Sequence, residues 1–124
     1  MLSWPPTVKI FLGADPTDMR KGFDSLAHLV ESSMSLDPLS GHLFVFRSRR
    51  GDRIKVLWWD RDGYCLWYKR LEKGGFRFPA VSVEGATKGV EVKAADLRMI
   101  LDGVDLGSVR RQLRYSRETV ENPR

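Results

Sequence analysis

The sequence predicts one α+β domain: a mostly antiparallel sheet, made of a three-strand meander and an N-terminal strand, with one long helix on a face and a short helix near the C-terminus. Three observations carry this. Gly41 to Phe76, GHLFVFRSRRGDRIKVLWWDRDGYCLWYKRLEKGGF, holds three runs rich in Val, Ile, Phe, Trp and Tyr separated by short turn signals. Met19, Phe23, Leu26, Ala27, Val30 and Met34 recur at helical spacing, giving an apolar stripe suited to packing on a sheet. The chain has 124 residues, a length that suits one domain and buries roughly two thirds of the unfolded surface.

Taken in order, residues 7 to 12, TVKIFL, form the first strand, with Pro5 and Pro6 excluded from it because neither can donate to a ladder. Gly13 to Asp18 turns into the helix. Asp15 or Thr17 serves as N-cap, Pro16 fits the first helical position, and Asp18 lies in the first turn, where acids are favoured. Arg20, Lys21, Asp24, His28 and Glu31 form the polar face. Gly22 interrupts the pattern, either for close approach of another backbone or as a tolerated break. The helix ends near Ser32 to Ser35, and Asp37, Pro38, Ser40 and Gly41 lead into the meander.

The meander strands are expected at Leu43 to Arg47, Arg53 to Asp60 and Tyr64 to Leu71. Between the last two, Arg61, Asp62 and Gly63 suit a three-residue loop with Gly in the left-handed position, because a two-residue loop of Arg and Asp is strained. The register is open by one residue, which exchanges the two faces. In either register Arg53 and Lys55 lie beside Lys69, Arg70 or Leu71. Phe76, Phe78 and Val81 suit an edge segment, Gly89 to Lys93 a short strand, and Ala94 to Val104 a helix that stops near Gly103. The domain is taken as residues 1 to 107. Residues 108 to 124, with five arginines and two glutamates, read as a basic flexible tail.

Cys65 is the lone cysteine, so no internal disulfide can form, and it points to a reducing cytoplasm. No run nears the roughly 18 apolar residues of a membrane span, and MLSWPPTVK lacks the layout of a signal peptide. No membrane partner is expected. His28 and His42 fall on different elements without further ligands at zinc spacing, and no phosphate-binding glycine motif occurs, so neither a metal nor a cofactor is expected. Asp60 and Asp62 resemble the paired acids of metal-dependent nucleases, but they occupy a turn, where Asp is favoured by its own backbone hydrogen bonds. No catalytic group is assigned.

Charge distribution says more. Twenty-one Lys plus Arg oppose sixteen Asp plus Glu, a net +5. Five of the cations lie between Arg47 and Lys55, against one acid. One end of the meander is therefore basic and the other, at Asp60 and Asp62, acidic. Phosphate neutralisation needs clustered cations on a rigid support, so Arg47, Arg49, Arg50, Arg53 and Lys55, aided by Lys69, Arg70 and Lys73, form the candidate nucleic-acid surface, with Arg20 and Lys21 as a second patch. The rival is a protein-docking module that uses Trp59, Tyr64 and Tyr68 on the sheet, its arginines serving solubility or an acidic partner.

TDMRKGFDSL at Thr17 to Leu26, the words FVFR, RGDRIKVLWWD and KRLE within Ser40 to Phe76, and LRMILDGVD at Leu97 to Asp105 together resemble the TnpB-type accessory protein encoded by the second open reading frame of insertion-sequence-66 elements. The likeness spans nearly all of the chain before the tail. It implies a bacterial mobile-element protein that assists transposition, distinct from the RNA-guided nuclease sharing the TnpB name, while a larger protein of the element is the transposase. It implies as partners DNA at the element ends or target, the transposase and other proteins of the same element, and a cytoplasmic location, on the nucleoid when DNA is bound. A homo-oligomer is compatible with it. Lys93 and Ala94 depart from the Thr-Pro helix start of relatives, and Arg77 interrupts an aromatic run.

Overall fold

In the computed structural model, residues 7–78 and 89–102 are described. Among the described residues, five strands form one sheet: β1 (Ile10–Gly13), β2 (Leu43–Arg47), β3 (Arg53–Asp60), β4 (Gly63–Arg70) and β5 (Gly89–Val92), in the spatial order β4-β3-β2-β1-β5. Helix α1 (Phe23–Ser32) connects β1 to β2, and α2 (Ala94–Leu101) follows β5. The expected tail, Val81 and the Gly103 stop lie outside the described residues. Among those described, no helix is long and apolar enough to cross a membrane.

The meander forms where its β-branched and aromatic residues place it, with β2, β3 and β4 antiparallel in sequence. β5 pairs antiparallel with β1, whereas β1 and β2 run parallel, as the helical crossover between them permits. The sheet is thus mostly antiparallel. Each face carries a helix: Leu26, Ala27, Val30 and Met34 cluster with Phe44, Phe46 and Leu57 on one side, and Leu97, Ile100 and Leu101 with Leu43, Val45, Ile54, Val56 and Phe76 on the other. Burial from both sides is why Leu43 to Phe46 is a continuous apolar run instead of an alternating one.

Three local expectations are corrected. First, α1 starts at Phe23, not Met19, with Gly22 as an extended N-cap that makes no side-chain hydrogen bond. Asp15 and Thr17 do not cap it. The carbonyls of Met19 and Lys21 are turned toward the Lys55 ammonium, each at 2.7 Å, and so are not free to begin a helical ladder. Gly22 has nothing within 4 Å of the position a Cβ would take, so close packing is not its reason. Secondly, β3 and β4 are joined by a two-residue loop, because Asp60 pairs with Gly63. Arg61 takes the left-handed conformation, φ 54, that glycine was expected to supply. Thirdly, residues 71–78 contain no strand. Their backbone instead folds against the base of β3, with Leu71 N–H donating to Asp52 O at 2.8 Å and Phe76 N–H to Gly51 O at 2.7 Å. The first strand, expected at residues 7 to 12, is β1 at Ile10–Gly13, while α2 begins at Ala94 after an extended, uncapped Lys93.

Candidate nucleic-acid interface

The turn between β2 and β3 bears Arg49 and Arg50, both exposed, and it is held from inside by Ser48. Ser48 is buried, at 8% exposure. Its hydroxyl accepts from Gly51 N–H and Arg53 N–H, each at 3.1 Å, and donates to Asp52 Oδ1 at 3.3 Å. Its backbone N–H closes the turn on Arg53 O at 2.9 Å. Gly51 supplies the left-handed residue, φ +81, and Gly75 approaches so closely that a Cβ there would lie 3.1 Å from Gly51 O. Two exposed side chains, Arg49 and Arg50, therefore lie on a turn whose Ser48, Gly51 and Arg53 N–H groups have partners within it.

A second turn faces it. Thr17 N–H donates to Arg47 O at 2.8 Å, which brings residues 17–20 alongside the arginine turn. Between them lies an open cleft of about 360 Å³ whose lining includes Arg20, Arg49, Arg50 and Arg53, together with Asp18 and Asp52. Four cations against two acids leave the cleft positive. Arg20 is forked onto Asp18, Nη2 to Oδ2 at 2.8 Å and Nε to Oδ1 at 3.1 Å, and its own N–H also reaches Oδ1 at 2.9 Å. These donors, the guanidinium first, hold the Asp18 carboxyl well below the usual carboxylate range. Arg53 Nη1 donates to the Tyr68 hydroxyl at 3.4 Å. Lys73 is exposed in the segment that the Gly51 and Asp52 carbonyls tether beside the tip.

Other expected members are drawn elsewhere. Lys55 is buried, at 6% exposure, with its ammonium on the Met19 and Lys21 carbonyls and 4.6 Å from the Tyr68 ring centre. Lys69 donates to Leu101 O at 2.9 Å, tying β4 to the end of α2. Arg47 is half-buried, donates to Ala14 O at 3.2 Å and lies 5.3 Å over the Phe78 ring, with its buried Nε unpartnered among the described residues. Lys55 is thus enclosed within the fold and away from the surface where a ligand would meet it, while Lys69 and Arg47 are half-buried and each held by a backbone carbonyl. Arg70 pairs with Glu72 at 3.1 Å and stays exposed at the same end of the sheet. Lys21 lines a neighbouring cleft of about 180 Å³ with residues 13–18, whereas Arg20 lines the one beside the arginine turn.

On the α1 side of the sheet, Trp59 and Tyr64 meet edge to face, 5.1 Å between centroids, and both are half-buried. Burial, with smaller contributions from Glu31, Asp24 and Asp37, pushes the Tyr64 phenol up. Tyr68 remains 49% exposed. Asp60 and Asp62 flank Arg61 in the tight turn, and no group of three or more His, Cys, Asp or Glu among the described residues could hold a metal ion. Sequence reasoning missed Ser48 and the Asp18 clamp on Arg20. The SRRGD word, a serine ahead of a glycine turn, was the available signal for Ser48.

Comparison with known proteins places this geometry in a family context. The family described as IS66 Orf2 like protein matches residues 8–111. The uncharacterized protein y4hO of Sinorhizobium fredii is 43% identical over 105 residues, covering 85% of this chain and 88% of that protein. The uncharacterized protein y4jC of the same organism is 35% identical over 105 residues, covering 85% and 86%. No solved structure matches the chain.

Proposed function

The chain belongs to the IS66 Orf2-like family, a family of transposition-associated accessory proteins, and on that footing we propose that it assists transposition without catalysing it, by binding DNA through the arginine-bearing end of the sheet. The observation that carries this reading is the pairing of the Ser48-held turn with the 17–20 turn, which gathers Arg20, Arg49, Arg50 and Arg53 around one open cleft. A rigid scaffold with projecting guanidinium groups suits phosphate oxygens, which bind Arg in forked geometry, and arginine also reaches base edges and narrow minor grooves. Lys73 extends the same end. The contacts are to phosphates chiefly, at the element ends or the target.

Titration of labelled duplex DNA with the full chain, followed by fluorescence anisotropy at several salt concentrations, tests this. Five cations on phosphates give a fall of log affinity against log salt with slope about 4.5. A slope near zero contradicts phosphate binding.

A second reading is a protein adaptor for the element's transposase, favoured by the exposure of Tyr68 at 49%. It predicts co-purification of the two proteins in the absence of DNA, lost with Tyr68→Ala and retained with Arg50→Ala.

A further inference from the structure

β4 is an edge strand of eight residues, and no described segment pairs with its outer side. Alternate residues of an antiparallel strand turn N–H and C=O away from their one neighbour, so this edge offers a ladder for a further strand. Its charge is polar along its length. Asp60 and Asp62 lie at the turn that begins it and Arg70 lies at its end. Neither Asp60 nor Asp62 has an ion-pair partner among the described residues, while Arg70 has only the exposed contact with Glu72.

We infer that β4 joins two copies of this chain edge to edge, antiparallel about a two-fold axis, to make one continuous sheet. A two-fold axis normal to the sheet keeps each side chain on its own face, so a residue must pair with one of the same parity. Centred on Leu66, this register sets Asp62 opposite the partner's Arg70 and Tyr64 opposite the partner's Tyr68. Both charged ends are then matched twice, by symmetry, and the half-exposed Tyr68 ring gains an aromatic neighbour. Parallel pairing would set like charges together. Both helices lie over the faces of the sheet, in the two clusters already described, so neither occupies the edge. The dimer carries its two arginine turns at opposite ends, free to contact separate stretches of a ligand. This goes beyond DNA binding and does not depend on it.

Sedimentation equilibrium of the full chain across a concentration series, without DNA, tests the interface. The expected result is a reversible dimer whose dissociation constant rises about tenfold with Asp62→Arg alone or Arg70→Glu alone, since each sets like charges opposite one another twice. The combined Asp62→Arg, Arg70→Glu variant restores dimerisation by reversing both signs. Far-UV circular dichroism confirms that each variant is folded. A monomer at all concentrations, including one that associates only with another protein, overturns the inference. So does a dimer indifferent to either single change, or one that the combined variant fails to restore.

Discussion

The ammonium of Lys55, buried on β3, donates to the carbonyl of Met19 at 2.7 Å, thirty-six positions back along the chain. That bond, with its twin to Lys21 O, fixes the turn that presents Arg20 and displaces the start of α1. A buried cation here is stabilising because both its charge and the carbonyls are satisfied; removing it leaves the acceptors unpaired. Lys55→Met is expected to lower the unfolding free energy by about 1.5 to 3 kcal/mol in urea denaturation, the range for hydrogen bonds to charged groups. Unchanged stability would mean that the turn does not depend on this contact.

Ser48 carries no charge, yet its hydroxyl accepts two backbone N–H groups that set the shape of the arginine turn. Ser48→Ala is expected to cost about 1 to 2 kcal/mol of stability and to weaken DNA binding, although every arginine is retained. The paired measurements are thermal or urea unfolding and DNA affinity at fixed salt.

Arg61 holds a left-handed backbone, φ 54, in a loop of two residues. A non-glycine residue there is strained by about 1 to 2 kcal/mol, and glycine loses part of that advantage to chain entropy. Arg61→Gly is therefore expected to stabilise the protein by about 0.5 to 1 kcal/mol, read as a higher denaturation midpoint with unchanged slope.

Asp18 has a carboxyl depressed by its neighbour Arg20. Its folded carboxyl titrates below the value of about 3.9 found in unfolded chains, because the Arg20 side chain and N–H donate to it. A depressed carboxylate contributes stability that is present above the unfolded value and is lost as pH falls toward the folded one. NMR titration of the Asp18 carboxyl should show it ionised after ordinary carboxylates have protonated, and Arg20→Ala should move it back toward the ordinary value.

Much of the fold is legible in the sequence where local chemistry decides. The Leu43, Ile54 and Trp67 strands follow from aromatic and β-branched content, and β5 from the short GVEV run. The start of α1 was not legible, because the group that sets it, Lys55, lies on a distant strand. Local strain favours a longer loop at Arg61, but the pairing of Asp60 with Gly63 leaves only two residues between the strands. The site divides likewise. Arg49 and Arg50 stand out as turn cations, but Lys55, Lys69 and Arg47 are indistinguishable from them in sequence, since burial against Met19, Leu101 and Phe78 is a tertiary outcome. Arg20 joins the site through tertiary contacts, the bond from Thr17 N–H to Arg47 O and those from Lys55 to the Met19 and Lys21 carbonyls.

DNA affinity of the full chain, compared with that of a variant in which Arg49, Arg50 and Arg53 are all replaced by Ala, bears most directly on the arginine end as the DNA contact. Loss of three phosphate contacts predicts weaker binding by at least tenfold at moderate salt and a salt slope smaller by about 2.7. Equal affinity and equal slope in the two proteins would contradict it.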